Sequence, residues 1–266
     1  MGIKNQIPQD FKQLYSSMIF FKEDMKKRWN LDEYNDPTQP AVFMGLYESR
    51  DINTFISHKG PKLLYFGGSD FTSNNLDLVS KSPNTVCIGY GADWMYKVLD
   101  SYKIPYTETR ILLKNFDNFT PTPLGENIYV YKGINGNRPD HYKWEEIVNP
   151  LQEVFGKDRI IYTQNLPLHE LKEKYYQNCF IYIRPNPLGG GTAMFELGHM
   201  GRKTITNEHS NFSTCLGYQS LNEMLDLIME ESKKIGTVQP QVAETLKSMF
   251  DREGNWLNFS NYKEWS

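Results

Sequence analysis

The sequence predicts an α/β protein of two domains, each built on a parallel sheet, and three observations carry that expectation. Short apolar runs rich in β-formers alternate with helical patterns, which builds βα units and not a sandwich. A turn-rich stretch over 115–125, with Pro121, Pro123 and Gly125, divides the series and sets a boundary between domains 1–122 and 123–266. In the second half, Gly189-Gly190-Gly191 stands between a strand and a helix, at the carboxyl end of a parallel sheet, where α/β proteins ordinarily bind ligands.

Composition sets limits on function. A chain of 266 residues can bury a full core, and a net charge of -3 supplies no general basic field, so a nucleic-acid partner needs a local patch. His58, His141, His169, His199 and His209 show no metal-ligand spacing, and no metal site is expected. Cys87 and Cys179 fall in predicted buried strands and Cys215 lies far from both, which reads as reduced cysteines in the cytoplasm. Met18 to Phe21 is too short an apolar run for a signal sequence, and no stretch is long enough to span a membrane.

The elements follow in order. Residues 8–30 carry Phe11, Leu14, Tyr15, Met18, Ile19 and Met25 at helical spacing, with Lys26, Lys27 and Arg28 where cations suit a helix end. Strands are expected over 41–47, 62–66, 85–89 and 109–113, with a helix through Trp94, Val98 and Leu99. Asp70 and Asp93 then stand on loops just past strand ends. The second half reads as strands over 128–131, 159–163, 180–183 and 204–206, with helices from about 142, over 169–176, from 192, over 221–235 and over 242–250. Trp256, Phe259, Tyr262 and Trp265 make an aromatic tail too apolar to float free, expected to pack back on the body.

The stretch around the triple glycine carries the chemistry. Phe180 to Ile183 form a strand, and Pro185 and Pro187 stop it. Thr192 can cap the following helix, with Met194, Phe195, Leu197 and Gly198 facing the sheet. Amides at a helix start bind anions, phosphate above all, though a triple glycine also serves as a plain tight connection. Glu196, about one turn in, can accept hydrogen bonds from sugar or ribose hydroxyls.

With these residues in place, the chain resembles the GT-B glycosyltransferases, whose two Rossmann-like domains face each other across a cleft. Many retaining members carry a Glu, a small-residue helix, a Gly, a basic residue and a short apolar strand. Glu196, Gly198, Gly201, Arg202, Lys203, Thr204 and Ile205 match that order. The motif-bearing likeness covers roughly 127–206, and the first half matches in layout alone. It implies a nucleotide-sugar donor as co-substrate and no cofactor. Glu196 would hold the ribose hydroxyls, and the loop of Gly189, with the amides of Gly190, Gly191 and Thr192, the diphosphate. Arg138 and Arg184, at or just beyond strand ends, are cationic candidates for the same phosphates.

Leu188 stands where those enzymes carry a second Glu, so the likeness fixes neither the sugar nor the stereochemistry. The sequence contains no Asp-x-Asp, which points to a metal-independent reaction resting on helix amides and cations. For an inverting reaction Asp70 is the first choice of base and Asp93 the second, since each lies past a strand end on the side of the expected cleft.

Two acceptors fit: a hydroxymethylated base of phage DNA, and a cell-surface or viral glycan. Small size, the lack of a membrane segment and an overall likeness to stand-alone phage enzymes favour DNA, and the net acidity opposes it. A DNA acceptor requires cations from 22–28, Arg50, Lys59 and Lys62 to gather near the cleft. The alternative of another class is a nucleotide-binding or dehydrogenase-like Rossmann protein, weakened because Met194 stands where that fingerprint needs Gly.

Overall fold

The computed structural model describes residues 10–89, 93–131, 144–162, 166–185, 191–207, 214–258 and 262. They divide into two compact α/β units: the first runs to Asn115 and takes in the segment from Phe250 on, the second is Phe116–Met249.

The first unit holds six parallel strands: β1 (Gln13–Ser16), β2 (Asp32–Glu33), β3 (Ala41–Met44), β4 (Lys62–Tyr65), β5 (Thr85–Ile88) and β6 (Tyr106–Thr107). Their order in the sheet is β2-β1-β3-β4-β5-β6. Helices α1 (Ile19–Trp29), α2 (Ser49–Ser57), α3 (Ser73–Ser80) and α4 (Asp93–Ser101) connect them. The core is Phe43, Leu64 and Cys87 from the strands, packed against Phe55, Met95 and Leu99.

Two expectations need correction here. The single helix over 8–30 is a strand followed by a helix. β1 lies inside the sheet between β2 and β3, buried on both faces, so its apolar residues need not alternate, and Phe11, Leu14 and Tyr15 imitate a helical stripe. The strand expected over 109–113 is absent: the sheet ends on Tyr106 and Thr107, and Ile111 makes only an isolated parallel bridge to Asp251.

That bridge belongs to a returning segment. The Asp251 carboxylate accepts the backbone N–H groups of Glu253, Gly254 and Trp256, which folds the chain into a tight turn. The turn buries Trp256 against Trp29 with ring centroids 5.7 Å apart, edge to face. Tyr262 packs on Phe11, while Phe259 and Trp265 lie outside the described residues.

His58, at the end of α2, shapes the acid response of this unit. It is buried, its Nδ1 lies 3.1 Å from the Tyr34 hydroxyl, and its carbonyl accepts from the equally buried Lys62. Burial, and then the Lys62 charge, lower its pKa to about 4. The folded value lies below that of an unfolded histidine, about 6.5, so the neutral ring's contribution is fully present above that pH and is lost as pH falls towards 4. Between these limits the wild type is expected to lose about 3 kcal/mol more stability than His58→Gln. Urea denaturation of both proteins across that range checks it, and parallel curves would refute it.

The second unit holds β7 (Asn127–Val130), β8 (Ile160–Ile161), β9 (Cys179–Ile183), β10 (Lys203–Thr206) and β11 (Cys215–Gly217), parallel and ordered β11-β10-β9-β7-β8. Its helices are α5 (Trp144–Phe155), α6 (Leu168–Glu170), which runs on into a π-helical turn over Leu171–Tyr176, α7 (Thr192–His199), α8 (Leu221–Ser232) and α9 (Pro240–Ser248). Ile128, Val130, Ile181, Ile183 and Ile205 form the sheet's part of the core, with Leu151, Met224 and Ile228 from α5 and α8. The strand order reverses between β7 and β9, the position at which sheets of this kind bind ligands beyond their carboxyl ends.

Close approach fixes the edges of this unit. A Cβ on Gly125 would lie 2.2 Å from the backbone of Asn178, so only glycine passes there. Gly198 was expected to face the sheet; it instead lets α7 approach α9, where an added Cβ would lie 2.6 Å from Leu246. Arg202 is fully buried and donates to the carbonyls of Thr122 (3.0 Å), Pro123 (2.7 Å), Gln177 (3.3 Å) and Cys179 (3.2 Å), and to that of Met200. Residues 116–123 are thereby tied to the second unit, where Phe116 also stacks on His199 at 4.8 Å.

Candidate functional site

The site is built on one face of the second unit's sheet. Register pairs Tyr129 of β7 with Tyr182 of β9, and their rings stack with centroids 5.3 Å apart. One alternation further on, past the strand ends, the Arg184 guanidinium lies 4.6 Å over the Tyr131 ring. Strand residues two apart share a face, so the tyrosine pair forms a wall and the Arg–Tyr pair its rim.

Two elements close over that face. Tyr176, the last residue of the π-helical turn, meets Tyr129 edge to face at 5.7 Å. Its hydroxyl donates to Glu196 Oε2 at 2.9 Å. Glu196 projects from α7 and is 3% exposed. Burial, and then the Glu196 charge, push the Tyr176 phenol far above its ordinary pKa, so it stays protonated and donating. Burial also raises the Tyr182 phenol, with the Arg184 charge pulling the other way.

Gly191 is the N-cap of α7, and Thr192 is the first helical residue, so the capping expected of Thr192 falls to a glycine. The first turn carries no acidic residue. A Cβ built on Gly191 would lie 1.5 Å from Arg184 Nη1. The guanidinium therefore rests directly on the glycine at the positive end of the helix, and the two together suit an anion.

The structure thus brings Arg184, Gly191, Thr192 and Glu196 to one end of one sheet. Arg138, Leu188, Gly189 and Gly190 lie outside the described residues. Asp70 and Asp93 belong to the other unit. Asp70 is buried, with Oδ2 accepting from Leu46 N–H at 2.9 Å and Oδ1 from Gly68 N–H at 2.8 Å. It staples the loops after β3 and β4, and burial raises its pKa against the pull of those amides. Asp93 is exposed and opens α4, where a carboxylate suits the helix dipole. Among the described residues, no group of three or more His, Cys, Asp or Glu converges as metal ligands do.

Tyr129, Tyr131, Tyr176 and Tyr182 were missed in the sequence. For Tyr129, Tyr131 and Tyr182 the signal was the period-two spacing of Tyr129-x-Tyr131 and Tyr182-x-Arg184, which means something only once the register of β7 and β9 is known.

No family model matches the sequence, and no curated protein matches it. Solved structures do match in fold. Sucrose-phosphate synthase from Thermosynechococcus elongatus superposes with TM-score 0.54 at 12% identity, over 92% of this chain and 76% of that one. HepE of Anabaena, in complex with UDP-glucose, gives 0.56 at 9% identity, over 84% of this chain and 78% of that one. The fold is GT-B. TarM gives 0.55 at 11% identity over 85% of this chain, which spans 56% of TarM. At these identities the likeness is one of fold, and the two parallel sheets are the GT-B pair expected from the sequence.

Proposed function

We propose that the protein is a glycosyltransferase that moves a sugar from a nucleotide-sugar donor to a hydroxyl acceptor, with the donor held by the second unit. The carrying observation is the Arg184 guanidinium resting on Gly191 at the start of α7, with the buried carboxylate of Glu196 further along the same helix. HepE, one of the fold neighbours, was solved with UDP-glucose, which supports a nucleotide-sugar here. Arg184 and the α7 amides take the charge that develops on the departing diphosphate, and fixed donors of this kind do so without reorganising during the reaction. That chemistry asks for no metal. Glu196 takes the ribose hydroxyls. Asp70 loses its place as first choice of base, because its carboxylate is committed to backbone amides.

The acceptor reading moves from DNA to glycan. Arg50 is exposed in the first turn of α2, past the carboxyl end of β3, but Lys62 is buried, Lys22 and Lys26 are paired with Glu33, and Lys59 precedes β4, at the edge of the sheet opposite its carboxyl end. Beyond the carboxyl ends of the first unit's strands stand Phe20, Tyr47 and Trp94 with exposed rings, which suit the apolar faces of sugars better than a polyanion. No helix among the described residues is long and apolar enough to cross a membrane, and the free Cys87 and Cys179 suit a reducing cytoplasm.

A thermal-shift screen of UDP, GDP and their sugar conjugates tests the donor site. One of them is expected to stabilise the protein by about 2.7 kcal/mol at a hundred times its Kd. In Glu196→Ala that shift is expected to vanish. A screen in which every nucleotide leaves the melting temperature unchanged overturns the reading.

A further inference from the structure

We infer that Tyr176 is a positioning residue for the donor nucleoside: its hydroxyl holds the Glu196 carboxylate in one orientation and so sets how strongly the site discriminates for ribose hydroxyls. This rests on the reading of Glu196 as the ribose acceptor. The terminal torsion of a glutamate is broad, and a carboxylate that turns freely presents no fixed acceptor. The phenol donating to Oε2 at 2.9 Å selects one setting. Tyr176 touches the reaction only through Glu196.

The backbone supplies an independent observation. The helix before β9 widens over Leu171–Tyr176, closed by the Gln177 N–H donating to the Lys172 carbonyl, five residues back, at 3.1 Å. Such turns are rare and gather at functional sites. In an α-helix successive side chains diverge by about 100°. Here Tyr175 and Tyr176 both reach the ring of Tyr129, at 6.5 and 5.7 Å. Tyr175 thus takes a place on the wall while Tyr176, 2% exposed, turns its hydroxyl to α7. Tyr129, stacked on Tyr182, backs the ring and leaves it little room to swing.

The test is a ratio of affinities. Calorimetry measures binding of UDP and of 2′,3′-dideoxyuridine diphosphate, with GDP and its dideoxy form as the second pair, to wild type, Tyr176→Phe, Glu196→Gln and the Tyr176→Phe/Glu196→Gln double variant. Wild type is expected to prefer the ribose form by tenfold or more. Tyr176→Phe keeps the ring in place, so its fold, checked by circular dichroism, survives while the preference falls about tenfold. The double variant is expected to match Glu196→Gln, because the two residues act as one unit. If Tyr176→Phe retains the wild-type ratio, or the two substitutions add independently, the inference is overturned and the donor site stands. If wild type binds neither diphosphate, or shows no ribose preference, the donor reading itself fails.

Discussion

Replacing Arg202 by Ala is expected to unfold the second unit at ambient temperature, a loss of about 5 kcal/mol or more from the 5–15 that ordinarily hold a domain. Of the five carbonyls it serves, those of Cys179 and Met200 also accept backbone N–H groups, from Gly125 and Thr122. The carbonyls of Thr122, Pro123 and Gln177 rely on the guanidinium, and each would carry a desolvation cost of about 1–3 kcal/mol once it is gone. A cavity the size of a fully buried arginine adds to this. Lysine is no remedy, because a single ammonium cannot span acceptors so widely placed. Far-UV circular dichroism in a urea series checks the expectation, and a loss of less than about 1 kcal/mol would show that the clamp carries little.

The second large effect concerns the anion. Arg184→Met retains most of the buried stem while removing the charge, and is expected to weaken nucleotide diphosphate binding about a hundredfold. Gly191→Ala should act in the same direction with less force: the three atoms nearest the new methyl all belong to the Arg184 guanidinium, the far end of a flexible side chain, so the fold survives while the guanidinium is displaced. Calorimetric titration with UDP measures both. Binding within threefold of wild type in Arg184→Met removes Arg184 from the phosphate site.

Much of this was legible before any coordinates. The strand, glycine and helix order over 180–206 located α7, because proline and glycine punctuate a chain through backbone geometry alone. The two βα series were legible for the same reason, through local pattern. What escaped depends on neighbours distant in sequence. β1 read as helix because a strand covered on both faces loses its alternation. Arg202 matched a family order, yet its donors turn to the carbonyls of two loops brought together only by the fold. Asp70 resembled an available loop acid, and the amides of Leu46 and Gly68 that occupy it lie on two different strand ends.

The returning segment bears on the order in which the units are made. Residues 250–258 and Tyr262 complete the first unit, with Trp256 against Trp29, the Phe11 N–H donating to the Leu257 carbonyl and Asp251 bridging Ile111. During synthesis the ribosome releases 116–249 before those residues exist. The unit that begins first therefore finishes last, against the usual N-terminal-first succession. Until then the nascent chain lacks the Trp256 indole that packs on Trp29, an opportunity for a chaperone and a hazard for any chain halted short of residue 250.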